Sequence, residues 1–177
     1  MQERILALLT TVLEQVANAF ALDEEGWQRH ANPLSGWTRI PILPVMAVAI
    51  WSRDWIGWWC VVPIALIIIW AYVNPRAFPP PVSTSAWASR AVMGERVWLN
   101  REQIPIPAHH SLWAALLSAA AVLGLPPLIW GLWALSLSWV LLGLVICVGA
   151  KLWFLDRMVW LFDDMCAKIP RYADWRR

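Results

Sequence analysis

The run IGWWCVVPIALIIIWAYV, residues 56–73, carries no charged side chain across its eighteen positions. A bilayer's hydrocarbon core is ~30 Å thick and takes ~20 apolar residues as a helix. Only helices and closed barrels satisfy their own backbone there. A second charge-free run of twenty-three residues, 128–150, repeats the signal. Composition removes the soluble alternative: 60% of the residues are hydrophobic, 15% are charged, and the mean hydropathy is +0.53. A domain of 177 residues could not cover that apolar surface with so few charges. The sixteen tryptophans agree, because indole favours the headgroup level.

The remaining spans are less uniform. Residues 40–51 are twelve apolar positions, too few to cross alone. They reach span length only with residues 37–39 and 52–55, Arg39 and Arg53 snorkelling outward; a re-entrant segment is the alternative. Residues 111–125 read as a third span, Gly124-Leu125-Pro126-Pro127 as a turn, and residues 128–150 as a fourth span. Residues 1–22 place Ile5, Leu9, Val12, Val16 and Phe20 at helical spacing, with Thr10, Glu14 and Asn18 on a polar side, as in an interfacial amphipathic helix. Ala17-Asn18-Ala19 imitates a signal-peptidase site, but Glu3, Thr10 and Thr11 argue for retention.

The expected architecture is one all-α integral-membrane domain. Two helical hairpins, residues 37–73 and 111–155, supply about four transmembrane helices. The amphipathic helix precedes them, a polar central loop of residues 74–110 joins them, and residues 156–177 form a tail that is helical in pattern through residue 165 and polar and frayed from Lys168 on. Thirteen of the fourteen Lys and Arg residues fall in the N-terminal region, the loop or the tail or, as Arg39 and Lys151, at the hairpin ends beside them, leaving only Arg53 in a turn. The positive-inside rule then puts both termini and the loop on the cytoplasmic side of an inner (plasma) membrane.

Candidate chemistry concentrates on that side. His30, His109 and His110, with nearby carboxylates, are candidate metal ligands, since histidine and carboxylate suit zinc or non-haem iron. Their spacing matches no HExxH-type motif, and interfacial histidines bonded to backbone or water are the plainer account. Asn32, Arg39, Asn74, Arg76, Arg90 and Arg96 are candidate contacts to an anionic ligand or lipid headgroup, because guanidinium forks bind phosphate. Glu95 and Asp156 are candidate acid–base groups, with salt bridging as the alternative for both. Trp87 and Trp98 imply that the loop folds back onto the bilayer or the helices. The cysteines Cys60, Cys147 and Cys166 form no CxxC pair. A net charge of +2 without a basic run gives no case for nucleic acid.

The stretches NPLSGWTRI, NPRAFPPP, GERVW, PIPAHH and WFLDRMVW together resemble an uncharacterised prokaryotic membrane family catalogued as a domain of unknown function, from about residue 30 to 165. The resemblance implies a small multi-span inner-membrane protein whose characteristic residues lie at these polar positions, and no activity. Three roles follow: an accessory or scaffolding component with other membrane subunits or copies of itself; a membrane-embedded enzyme or lipid-binding protein with a cytoplasmic-face His/Glu/Arg pocket; and, least supported, a transporter. Convergence of His30, Arg39, Arg76, Glu95 and His110 on one cavity separates the second from the first.

Overall fold

The computed structural model describes residues 22–176. The amphipathic helix expected over residues 1–22 lies outside them, apart from Leu22. The described residues are helical, without a strand. The chain opens with α1 (Glu24–His30), capped by the Asp23 carboxylate, which accepts from the Gly26 N–H at 2.8 Å. In α2 (Pro33–Arg39), Asn32 caps the helix and Pro33 sits in the first turn, where its missing N–H costs nothing.

α3 (Ile42–Trp51) continues the apolar path. A short α4 (Arg53–Ile56) and a 3-10 turn (Gly57–Cys60) then reverse it. Gly57 has φ of +57°, a conformation that favours glycine, and a side chain there would meet open space. α5 (Val61–Ala77) returns against α3 and reaches α1 and α2. This is the first hairpin.

The region expected to be a polar loop holds α6 (Trp87–Leu99), most of whose residues are buried. Its alanines, Ser89 and Gly94 let it lie close against the long α9 (Leu137–Lys168). A Cβ on Gly94 would overlap the Met158 carbonyl. The polarity of the segment is therefore that of an amphipathic helix with one dry face. It buries Val92, Met93 and Val97 with Phe154, Met158, Leu161 and Phe162 in the main core.

The second hairpin differs from expectation in its turn. α7 (Ala108–Leu123) and α8 (Leu125–Trp133) form one apolar stretch, because Gly124 keeps helical dihedrals and the two prolines occupy the first turn of α8. The reversal comes at 134–136. There the Ser136 N–H donates to the Gly131 carbonyl, with Leu135 left-handed at φ 51° in the place glycine usually takes. Arg53 donates to the Leu132 carbonyl and, at 3.0 Å, to the Trp133 carbonyl, so the first hairpin's turn caps the end of α8. The two turns therefore lie side by side. α9 continues to Lys168, as the helical pattern through residue 165 implies, but the segment beyond it is folded and not frayed: after α10 (Pro170–Ala173) the Trp175 ring packs edge-on against Tyr172, which is fully buried.

Three helical stretches are long and apolar enough to cross a membrane: Pro33–Ala77, which contains the first hairpin, Ala108–Trp133 and Leu137–Lys168. They expose large hydrophobics, Trp58 at 90% among them, as a surface compatible with lipid does.

Two glycines on contacting and open faces make the packing testable. Gly94→Ala should destabilise the protein by about 1–3 kcal/mol, the usual cost of overpacking. Gly149→Ala, where a Cβ meets nothing within 4 Å, should be neutral or gain about 0.5–1 kcal/mol. Thermal unfolding of the detergent-solubilised protein reads both.

Candidate functional site

Where the first hairpin meets α1 and α2, five polar side chains form one directional chain. Arginine can only donate, so the 2.7 Å contact from Arg39 Nη1 makes His30 Nε2 an acceptor. The His30 proton is then on Nδ1 and is donated to Ser35 Oγ at 2.8 Å. Ser35 donates to Asn74 Oδ1 at 2.8 Å, Asn74 Nδ2 to Thr38 Oγ1 at 2.7 Å, and Thr38 to the Leu34 carbonyl at 2.6 Å. Ser35 and Asn74 are fully buried. Every link has one donor and one acceptor, so the network is satisfied in a single sense. Burial, reinforced by the positive charges of Arg39 and Lys151, pushes His30 down to about 3, and the ring is neutral.

Arg39 carries this network to two cavities of about 290 and 570 Å³, and His30, Arg39, Glu95 and Lys151 line both. Glu95 is paired with Lys151 at 2.5 Å. Among the described residues Arg39 makes no ion pair within 4.0 Å, and the Glu95 charge acts on it from farther away. With His30 neutral, the cluster sums two cations against one carboxylate and is left with one positive charge. Its walls are otherwise mostly apolar: Ile40, Leu43, Val148 and Leu152 in the smaller cavity, Trp98, Leu117 and Phe154 in the larger.

The other sequence candidates lie elsewhere. Asn32 is an N-cap that also donates to the Pro79 carbonyl at 2.9 Å, which ties the start of α2 to the segment that follows α5. Asn74 belongs to the buried network and not to a cavity wall. Arg76 bonds the Tyr72 carbonyl and lies over the Tyr72 ring. Arg90 pairs with Asp163 at 2.9 Å. Arg96 forks onto Glu24 and stacks over Trp175 at 3.8 Å, and its charge holds the Glu24 carboxyl below the usual range. Asp156 accepts from the Trp87 indole at 3.1 Å. His109 and His110 sit together at the start of α7 beside Asp164, apart from His30. So His30, Arg39 and Glu95 converge, and Arg76 and His110 do not join them.

Sequence reading missed Lys151, Ser35, Thr38 and Asp164. Lys151 was legible as the one charge that interrupts an apolar path between residues 128 and 155. Ser35 and Thr38 carried only the helical i, i+3 spacing that puts both on one face.

The fold and this cluster define a helical protein with membrane-length apolar stretches and a charged group lodged between them. The sequence matches, over residues 11–177, a family described as "Family of unknown function (DUF6653)", and the chain belongs to that family. No curated protein and no solved structure matches it.

The neutral His30 makes stability pH-dependent. An unfolded histidine takes a proton near 6.5, and the folded one only near 3. Between these values the unfolded state binds more protons, so this contribution is complete above about pH 6.5 and is lost as pH falls toward 3. The unfolding temperature should drop from pH 7 to pH 5, and His30→Gln, which does not titrate, should flatten that slope.

Proposed function

We propose that this is a multi-span inner-membrane protein that binds an anionic membrane amphiphile between its two hairpins, with the charged group held by Arg39 and Lys151. The hairpins supply four crossings, and the termini, α6 and the pocket mouth lie on the cytoplasmic side. The excess of Lys and Arg in the sequence outside the turns supports that orientation, and Arg53 sits with both turns at the other end.

The observation that carries the reading is the unneutralised Arg39 in an apolar-walled cavity. Arg39 lies fourteen residues before Arg53, and Lys151 fourteen after Leu137, roughly 21 Å along each helix. Counted from the two turns, that depth is still inside a ~30 Å hydrocarbon core. An ionisable group there is costly and is retained where it pairs or binds. Glu95 pairs with Lys151 and also acts on Arg39, so one carboxylate serves two cations and the excess positive charge calls for an anion. A phosphate or carboxylate suits a guanidinium, and the apolar walls suit the chain attached to it. This convergence favours the pocket over a purely scaffolding role.

The test is retention of lipid by the full chain purified in mild detergent from vesicles that mix phosphatidylglycerol and phosphatidylcholine. Wild type should retain the anionic lipid preferentially, and Arg39→Gln should weaken retention about tenfold, the worth of a charge-assisted hydrogen bond. Glu95→Gln, which removes the one carboxylate that lines the pocket among the described residues, should leave retention equal or stronger. Competition by inorganic phosphate without retention of lipid would identify a free anion instead. Equal retention of both lipids by wild type and Arg39→Gln would refute the proposal.

A further inference from the structure

A second cluster lies outside that pocket. Although successive side chains on a helix diverge, the rings of His109 and His110 stand 4.1 Å apart at the start of α7, and Asp164 of α9 faces both. The Asp164 carboxylate oxygen is 2.8 Å from His110 Nε2 and 3.9 Å from His109 Nε2. The three ligand atoms all lie within 4.8 Å of one another.

The burial of the three is graded. His110 is 1% exposed, whereas the side chains of His109 and Asp164 are 58% and 47% exposed. His110 is thus a fixed ligand inside the fold, and the other two close over it from the surface. Its Nε2 faces the carboxylate, and its Nδ1 is buried without a partner. Ionised Asp164 can only accept, so the Nε2 proton lies between them, and Nε2 is the ring nitrogen turned toward the other two donors. His30 takes no part, because both of its ring nitrogens are already bonded, one of them by a cation.

We infer that His109, His110 and Asp164 form a binding site for a divalent transition metal of the zinc class. Two imidazoles and one carboxylate are a donor set of that chemistry, with the further coordination positions open to water or substrate. Metal–ligand bonds of about 2.0–2.2 Å bring donor atoms to within about 4 Å of one another, so the exposed side chains need to move by about an ångström. The metal replaces the proton on His110 Nε2, which passes to Nδ1, and the imidazole stays neutral.

The test uses the full chain in detergent, stripped with chelator and equilibrated with zinc alone, with bound metal measured by elemental analysis and cobalt(II) substitution read by visible absorption. Wild type should hold one metal per chain. His109→Ala and Asp164→Asn should each lower affinity about tenfold or more, and Asp164→His, which returns a donor at the same place, should recover it. Loss of only a structural Asp164–His110 bond would not be repaired in that way. His109 is exposed enough for its alanine variant to leave the fold intact, which matched circular dichroism verifies. Absence of zinc from wild type, or equal zinc in wild type and both weakened variants, would overturn the site.

Discussion

The chain of hydrogen bonds from Arg39 through His30, Ser35, Asn74 and Thr38 to the Leu34 carbonyl holds the polar end of the first hairpin together. In water each of these bonds would exchange with solvent for little net gain; between apolar helices an unmade one would carry its full desolvation cost. The same physics that makes the network expensive to break makes it directional. Arg39 cannot accept, so His30 must present a bare Nε2, and every later proton position follows. The network thereby joins α1, α2 and α5 and aims one guanidinium at the space between the hairpins.

That space exists because the hairpins are fastened near their turns. Ala47, Leu128, Leu132 and Val140 pack close to the turns, where Arg53 also ties the two hairpins together. Toward the other end α6 fills the interior against α9, with Gly94 pressed on the Met158 carbonyl. Between these two regions the apolar walls separate around His30, Arg39, Glu95 and Lys151. A bilayer-facing protein gains little hydrophobic drive from helix contact inside lipid, so close backbone approach at small residues and satisfied polar groups carry the association. Gly124 against Cys147, Gly131 against Val140 and Gly143 against Leu128 follow the same rule along the second hairpin.

Several elements were readable in the residues themselves. The apolar runs follow from local hydropathy, and Asn32-Pro33, compatible with a turn or a helix start, begins a helix in the structure. The turn assigned to Gly124-Leu125-Pro126-Pro127 did not hold, since prolines in a first helical turn are as compatible with continuation as with a break. The polar loop and frayed tail were misread for a related reason. Ala, Ser, Gly and Arg in α6 look solvated by composition, yet their small side chains are what let a helix approach α9, and Arg96 is neutralised by Glu24 seventy-two residues away.

Sequence alone therefore determined the helical class, the membrane-length stretches and the gathering of polar residues at one end, because hydropathy and charge act over local windows. Which polar residues meet was decided only by tertiary structure. Lys151 reaches Glu95 across fifty-six positions, Asp164 reaches His110 across fifty-four, and Ser35 reaches Asn74 across thirty-nine. No local window contains such pairs. The arginines show the difference most clearly: Arg39, Arg76, Arg90 and Arg96 were all candidate anion contacts, and packing paired Arg90 and Arg96 with carboxylates while directing Arg39 into an apolar cavity.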